Sequence, residues 1–169
     1  GTLKKFQMTN NFSNMRVFFN GLYNRYEGYH KSTYAYGYKN EYNELSYVTG
    51  FEIEQRIIDA VTDASIISDI ISATNNDMQE MKYVFMGQVS QNPDSCIILF
   101  QKIQKAQVIQ SGKGIKLISN RDTFDVFTEN LLSILDRLDC YYVNGNLYFN
   151  NIYFARQIFD MSQYVVEAT

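Results

Sequence analysis

The dipeptide Asn-Gly at residues 144–145 constrains this chain more than any other feature. It lies between two short runs, residues 140–143 and 147–149, that are rich in aromatic and β-branched side chains. Asn-Gly supplies the positive φ angles of a type I′ turn, so the segment predicts a tight β-hairpin. The two asparagines at residues 150–151 follow at once, and their side-chain oxygens suit a helix N-cap.

Apolar residues then recur at helical spacing, which predicts a helix after the hairpin. They are Ile152, Phe154 or Ala155, Ile158 or Phe159, and Met161. A hairpin alone is only marginally stable in water, so we expect this helix to fold back on one face of the two strands. The unit at residues 138–161 is therefore strand, turn, strand and helix.

Length and composition indicate one globular domain. The chain has 169 residues, 46% of them apolar, and a net charge of −3. Cys96 and Cys140 each lie in an apolar run, which predicts free buried thiols and fits a cytoplasmic protein. No signal peptide or membrane-spanning run is visible, so direct membrane insertion is not expected. The chain begins with Gly-Thr rather than Met, and we expect it to be a fragment of a longer protein.

Charge is distributed in blocks. Residues 1–40 carry six cations against one acid, and residues 81–121 carry the same balance. Residues 51–80 carry seven acids against one cation. We divide the single domain into a basic, tyrosine-rich segment at residues 1–50 and a core of sheet and hairpin-helix at residues 80–169. The two basic segments are expected to meet on one face.

The first half predicts alternating helices and strands. A helix begins near Ser13 or Asn14 and runs to about residue 26. Residues 33–38 alternate with a period of two, which predicts a strand with Tyr34, Tyr36 and Tyr38 on one face, and residues 44–48 are its expected partner. A second helix opens at Thr49 or Gly50. Residues 66–71 either continue that helix or begin another, and residues 73–77 form a polar loop.

The second half predicts an antiparallel meander with two helices. Its strands are residues 81–89, 96–101, 105–109 and 114–118, with turns at residues 91–94 and 111–114. Residues 124–138 fit a helix capped by Asp122 or Thr123, and the alternative is that residues 132–135 form a strand. The fold class is thus α+β, with an antiparallel, meander-type sheet of about five or more strands and helices packed on one face.

Catalytic patterns are weak, so the sequence favours a binding domain over an enzyme, with no cofactor and no metal. His30 is the only histidine, and neither cysteine has a neighbouring base. The run Ser-Gly-Lys-Gly at residues 111–114 lacks the spacing of a phosphate-binding loop and fits a hairpin turn better. Asp94 followed by Lys102 matches only part of the motif of a metal-dependent nuclease, because the second carboxylate of the motif is missing.

Tyrosines interleaved with cations give the strongest indication of binding. Aromatic faces stack on bases and cations neutralise phosphates, which favours nucleic acid, while tyrosine also serves protein interfaces. The expected nucleic-acid contacts are Arg16, Arg25, Lys31, Lys102, Lys105, Lys113 and Lys116. The alternative is a protein-interaction or oligomerisation surface made by Tyr34, Tyr36 and Tyr38. Packing of these rings in a core remains open as well.

The order of motifs from about residue 81 onward carries a resemblance. It comprises SCIILFQKI, KGIKLIS, DTFDVF, LDRLDCYYVNGNLYFNN and FARQIFDM, with Asp139 preceding an apolar strand. This succession resembles the bacterial domain-of-unknown-function family that includes the Kiwa anti-phage protein KwaB. The resemblance implies a cytoplasmic antiviral defence protein that forms homo-oligomers, binds DNA and works with a KwaA-like membrane partner. Members of that family continue into a helical region beyond these motifs. The resemblance supplies no catalytic residues.

Overall fold

The computed structural model describes residues 2–7, 12–63, 69–74, 81–89 and 96–165. Its helices are α1 (Phe12–Glu27), α2 (Gln55–Asp63) and α3 (Ile152–Ile158), and Lys105–Gln107 form a 3₁₀ turn. Its strands are β1 (Thr2–Gln7), β2 (His30–Thr33), β3 (Glu44–Val48), β4 (Asp69–Thr74), β5 (Tyr83–Val89), β6 (Cys96–Lys102), β7 (Val108–Ile109), β8 (Ile115–Ile118), β9 (Thr123–Val126), β10 (Leu131–Leu132), β11 (Cys140–Val143) and β12 (Asn146–Phe149).

One sheet of eight strands organises the molecule, in the order β1-β4-β5-β6-β11-β12-β3-β2. All of its neighbouring strands are antiparallel except β2 and β3, which run parallel. The predicted α+β class is therefore confirmed, and the sheet, predicted as antiparallel, is antiparallel except for this one pair. The succession β4-β5-β6 is a meander, but the chain then leaves the sheet and returns only at β11.

The hairpin predicted at Asn-Gly is present and lies inside the sheet. Asn144 has φ 48° and Gly145 has φ 88°, as a type I′ turn requires. The first strand of the hairpin pairs with β6 and the second with β3, so neither is an edge. Asn151 caps α3 by accepting a hydrogen bond from the Tyr153 amide at 2.9 Å. Because Ala155 is buried against the hairpin side chain Phe149, α3 folds back on it as predicted.

Helices pack on both faces of the sheet, so the expectation that they share one face is wrong. Side chains from α2 and α3 join one core cluster, which contains Phe85, Phe100 and Phe149. Side chains from α1 join a second cluster, which contains Leu99 and Tyr141. Successive residues of a strand point to opposite faces, and here both sets are apolar. A sheet with two apolar faces has to be covered on both sides.

The excursion between β6 and β11 contradicts two predictions. Residues 124–138 were expected to form a helix, but they contain β9 and β10, two short strands. The two strands predicted at residues 105–118 do not continue the meander. Instead β7 pairs with β10 and β8 pairs with β9, each in a separate two-stranded sheet. The helical periodicity failed here because the apolar side chains of this segment are not buried together: Phe124 and Leu135 are exposed, and of the predicted stripe Leu138 alone is fully buried.

Two assignments in the N-terminal half also change. The strand predicted at residues 33–38 ends at Thr33, and the expected hairpin partner β3 is parallel to it. Residues 69–74 form β4, which contradicts both the predicted helix there and the start of the polar loop. The other residues of that helix and loop, 64–68 and 75–77, lie outside the described residues, as does the turn at residues 91–94 with Asp94.

Within the ranges that the structure describes, no helix is long and apolar enough to cross a membrane. Both cysteines are free thiols, as predicted. Cys140 is buried and Cys96 is half-buried, and burial raises the pKa of both thiols.

Candidate functional site

The connection between β2 and β3, residues 34–43, forms a loop rich in tyrosine that we call the tyrosine loop. Because the two strands are parallel, the chain has to return along the sheet before it enters β3. Gly37 makes the bend with φ 81°, and the Tyr38 amide donates to the Ala35 carbonyl at 3.0 Å. The loop therefore lies outside the ladder, where its side chains are available to a partner.

Two asparagines clasp this loop to the end of β12. Asn40 Nδ2 donates to Ser46 Oγ at 2.9 Å and to the Asn150 carbonyl at 2.7 Å. In return, Asn150 Nδ2 donates to the carbonyls of Glu41 at 2.7 Å and Glu44 at 2.8 Å. Three of these four bonds join the loop and the start of β3 to Asn150, which lies more than 100 residues away in sequence. We call the four bonds the amide clasp.

The tyrosines predicted to form an interaction surface have different surroundings. Tyr34 packs on Phe149, with ring centroids 5.5 Å apart, so it anchors the loop to the core. Tyr36, Tyr38 and Tyr42 are exposed, the last by 83% of its surface. Tyr38 Oη donates to Glu44 at 3.2 Å, and this hydrogen bond to a carboxylate raises the pKa of Tyr38. The exposed set thus omits Tyr34 and adds Tyr42, which the strand periodicity could not reveal.

Two clefts flank Asn150 and Asn151, which line both of them. The larger has a volume of about 420 Å³ and is lined by Tyr34, Gly37, Tyr38, Lys39, Asn40 and Ile152. The smaller, about 220 Å³, is lined by Tyr26, Tyr42, Arg137, Leu138, Asp139 and Phe154. Asn40 Oδ1 is buried and accepts no hydrogen bond within the described part of the chain. The clefts therefore offer aromatic faces beside amides.

Asp139, the carboxylate of the smaller cleft, has a structural role. Its Oδ2 accepts from the Lys102 amide at 2.6 Å, and its Oδ1 lies 3.6 Å from Arg137 Nε. Burial raises the pKa of Asp139, against the opposing effects of Lys102 and Arg137. The carboxylate therefore ties the entry of β11 to the end of β6. Among the described residues, no group of three or more His, Cys, Asp or Glu side chains is placed to hold a metal ion.

The predicted nucleic-acid contacts are spread over several elements. Arg16 and Arg25 lie on α1, and Arg25 forms an ion pair with Asp136 at 3.1 Å. Lys31 on β2 donates to the carbonyls of Glu27 and Tyr29. Lys102 is half-buried at the end of β6. Arg25 and Lys31 therefore have partners within the chain.

The remaining three predicted contacts, Lys105, Lys113 and Lys116, are exposed along the excursion between β6 and β11. The ammonium of Lys116 lies 5.6 Å from the centre of the Phe127 ring. All three side chains are therefore accessible from solvent.

Other tyrosines pack α1 on the sheet. Tyr141 stacks on Tyr148, with ring centroids 4.8 Å apart, and meets Tyr23 edge to face. Tyr141 Oη donates to Glu27 at 3.1 Å, and burial together with this carboxylate raises the pKa of Tyr141 far above its ordinary value. Tyr26 Oη accepts from the Leu138 amide at 2.9 Å. Some of the tyrosines in the sequence therefore pack in the core and do not form a binding surface.

Together these features define a mixed-sheet α+β domain with an ordered aromatic loop beside two amide-lined clefts. No family model matches the sequence, and comparison with curated proteins and with solved structures finds no similar one.

Proposed function

We propose that this chain is a non-enzymatic binding domain whose tyrosine loop takes a protein partner. One observation carries the proposal: exposed tyrosines stand on a loop whose backbone the amide clasp fixes in place. Tyrosine contributes a large contact area and has few rotatable bonds, so its ordering on binding costs little entropy. A loop already held in one conformation avoids the further cost of ordering its backbone.

The charge of the loop favours a protein over a polyanion. Residues 34–43 contain one lysine and one glutamate, so the loop is neutral. In the adjoining cleft, Arg137 faces Asp139 at 3.6 Å, so its charge is balanced as well. A surface that binds phosphates needs an excess of cations, because affinity for nucleic acid comes largely from neutralised phosphates.

Site-specific photo-crosslinking tests this proposal. A photoreactive amino acid is placed at position 42 of the protein in the cell that produces it. On irradiation it should crosslink the chain to one main protein, which is then identified and purified. The double variant Tyr36→Ser, Tyr42→Ser should bind that protein at least about tenfold more weakly in a calorimetric titration, because two aromatic contacts are lost. Val17→Ser removes an exposed apolar side chain from α1, away from the loop, and should bind like the wild type. Equal affinity of the wild type, the double variant and Val17→Ser for that partner would contradict the proposal.

Nucleic-acid binding is the second candidate, favoured by the exposure of Lys105, Lys113 and Lys116. Each lysine that neutralises a phosphate releases a counterion. Removing one such lysine therefore reduces the slope of log affinity against log salt concentration by about one unit. Titration of duplex DNA at two salt concentrations, with the wild type and the triple Lys→Gln variant, measures this. Absence of binding at low salt, or an affinity that ignores salt, would exclude it.

The resemblance of residues 81–161 supplies the biological setting of the proposal. In that setting the chain belongs to a cytoplasmic antiviral defence protein, forms homo-oligomers and works beside a KwaA-like membrane protein. That membrane protein is then the first candidate for the crosslinked partner. A gene for a small membrane protein next to the gene for this chain would support the setting, and a titration of the two purified proteins would test the contact.

A further inference from the structure

The β8–β9 hairpin, residues 115–126, exposes an apolar face that the described part of the chain leaves uncovered. We call it the ribbon. Its cross-strand partners are Ile115 with Val126 and Leu117 with Phe124, and all four side chains lie on the same face. Their exposed fractions are 64%, 46%, 56% and 68%, respectively.

The opposite face of the ribbon is mixed: it carries Lys116, Thr123 and Asp125, and its apolar residue Ile118 is half-buried. Lys116 is paired with Asp125 across the strands, and its ammonium lies over the Phe127 ring. The Phe127 amide donates to the Gly114 carbonyl at 2.9 Å, which extends the pairing towards the base of the ribbon. The two faces therefore differ, because the exposed large apolar side chains of the ribbon all lie on one of them.

A two-stranded ribbon with an exposed apolar face is not stable alone. Independent stability requires a third strand or a packing partner against the hydrophobic face. Contiguous exposed apolar patches on monomers are rare and indicate interaction sites. We infer that the apolar face of the ribbon packs against the same face of a second copy of this chain, through a two-fold axis. This inference does not depend on the tyrosine loop.

The area of the face agrees with such a pairing. The four exposed fractions correspond to on the order of 500 Å² of apolar surface on each copy. Two copies would bury about 1,000 Å², which lies at the lower limit for a specific interface. The result is a weak, concentration-dependent dimer rather than an obligate one.

The charges of the ribbon also favour a second copy. Residues 111–130 contain three cations and three acids, so the ribbon has no excess charge that selects a polyanion or an anionic membrane. Arg121 and Asp122 lie at the tip, while Lys113 and Glu129 lie near the base. When two ribbons pack antiparallel, the tip of one meets the base of the other, and each end offers both signs of charge. A face with this symmetry is complementary to itself, as a two-fold interface requires.

Sedimentation equilibrium over a range of concentrations tests the inference on the 169-residue chain. The wild type should associate reversibly to a dimer. The variant Leu117→Thr, Phe124→Thr keeps strand-forming residues but removes most of the apolar area, and it should raise the dimer dissociation constant about a hundredfold or more. The matched control Lys116→Thr, Asp125→Thr changes the other face of the same ribbon and should dimerise like the wild type. A monomeric wild type, or equal weakening in both variants, would overturn the inference.

Amide hydrogen exchange gives an independent readout that does not depend on a variant. Protection of residues 115–118 and 123–126 should rise with protein concentration, because dimerisation covers the ribbon. Protection that is the same at every concentration would contradict the proposed pairing. The inference would also be overturned, in favour of a membrane surface, by a protein that stays monomeric at every concentration and binds neutral phospholipid vesicles. In that case the variant Leu117→Thr, Phe124→Thr should lose the vesicle binding.

Discussion

Adjacent asparagines at the end of β12 have separate roles, and only one of them was predictable. Asn151 caps α3, and the spacing of the apolar residues after it is a local signal for that role. Asn150 was an equal candidate for the cap, but its side chain donates to Glu41 and Glu44 in the tyrosine loop. Those partners are more than 100 residues away, so nothing in the neighbouring sequence could identify them.

At this scale we predict that Asn150→Ala lowers the free energy of unfolding by about 1–3 kcal/mol. The change leaves the carbonyls of Glu41 and Glu44 without their side-chain donor, and partly buried polar groups without a partner are costly. Urea denaturation measures the loss. Asn120→Ala, at an exposed position in the turn between β8 and β9, is the control and should change stability very little. If both variants unfold like the wild type, the clasp contributes nothing to the fold.

Asp139 gives a prediction about pH. Burial raises its pKa above the ordinary value of 3.8, so the folded protein favours the protonated carboxyl more than the unfolded chain does. The stability that this group contributes is fully present below its ordinary pKa and is lost as pH rises through the raised value. Asp139→Asn stays neutral and retains an oxygen that accepts from the Lys102 amide. The stability of the variant relative to the wild type should therefore increase with pH in this window.

Chemical denaturation of both proteins from about pH 3 to neutral measures that difference. Other carboxylates titrate alike in the two proteins, so their effects cancel. A difference that stays level, or that favours the wild type as pH rises, would mean that Lys102 and Arg137 outweigh burial at this position.

At the scale of helices and strands, the sequence predicted those elements that contain a local turn motif or a regular spacing of buried apolar residues. The hairpin and α3 were predicted because the Asn-Gly turn is local chemistry. The segment at residues 124–138 was predicted as a helix because Phe124, Phe127 and Leu131 match a helical stripe. Instead β9 pairs with β8 and β10 pairs with β7, and the irregular residues after β10 are held by Gln101, whose Nε2 donates to the carbonyls of Leu135 and Arg137 at 2.7 Å. A buried glutamine gives no sequence signal for that role.

The packing of α2 on β5 depends on a glycine. A Cβ at Gly87 would lie 2.6 Å from Val61 Cγ1 and 3.2 Å from the Ile97 carbonyl oxygen. Gly87→Ala should therefore lower the free energy of unfolding by about 1–3 kcal/mol through overpacking. Gly21→Ala is the control: Gly21 lies on an exposed part of α1 with nothing within 4 Å, and alanine favours helix there. Thermal or urea unfolding compares the two.

A double-mutant cycle attributes the cost of Gly87→Ala to this contact. Val61→Ala alone leaves a cavity and is destabilising, because Val61 is buried. In the double variant the new Cβ has room. The loss of unfolding free energy in the double variant should therefore be smaller than the sum of the two single-variant losses by about 1 kcal/mol or more. Strictly additive losses would show that Gly87 is required for another reason, such as its approach to Ile97.

For the molecule as a whole, the order of the strands interleaves the two halves of the chain. The hairpin at residues 140–149 lies between β6 and β3, so β2 and β3 join the sheet only through β12, whereas β1 joins the opposite end through β4. In the second core cluster Phe19, Leu22 and Leu45 pack with Leu99 and Tyr141. The sequence could not show this, because the basic N-terminal segment and the later core looked separable by composition. Pairing across such separations is decided by the complete set of apolar faces.

The final prediction follows from that interleaving: residues 81–165 alone should not fold cooperatively. The fragment would lose α1 and α2, which cover opposite faces of the sheet, and would expose β12 as an edge. Circular dichroism and denaturant titration should show a broad transition for the fragment and a sharp one for the 169-residue chain. Adding a peptide of residues 12–63 restores α1, β2, β3 and α2, and should sharpen the transition. A fragment that unfolds as sharply as the whole chain would mean that the resemblance at residues 81–161 marks an independent unit, to which the N-terminal half is an addition.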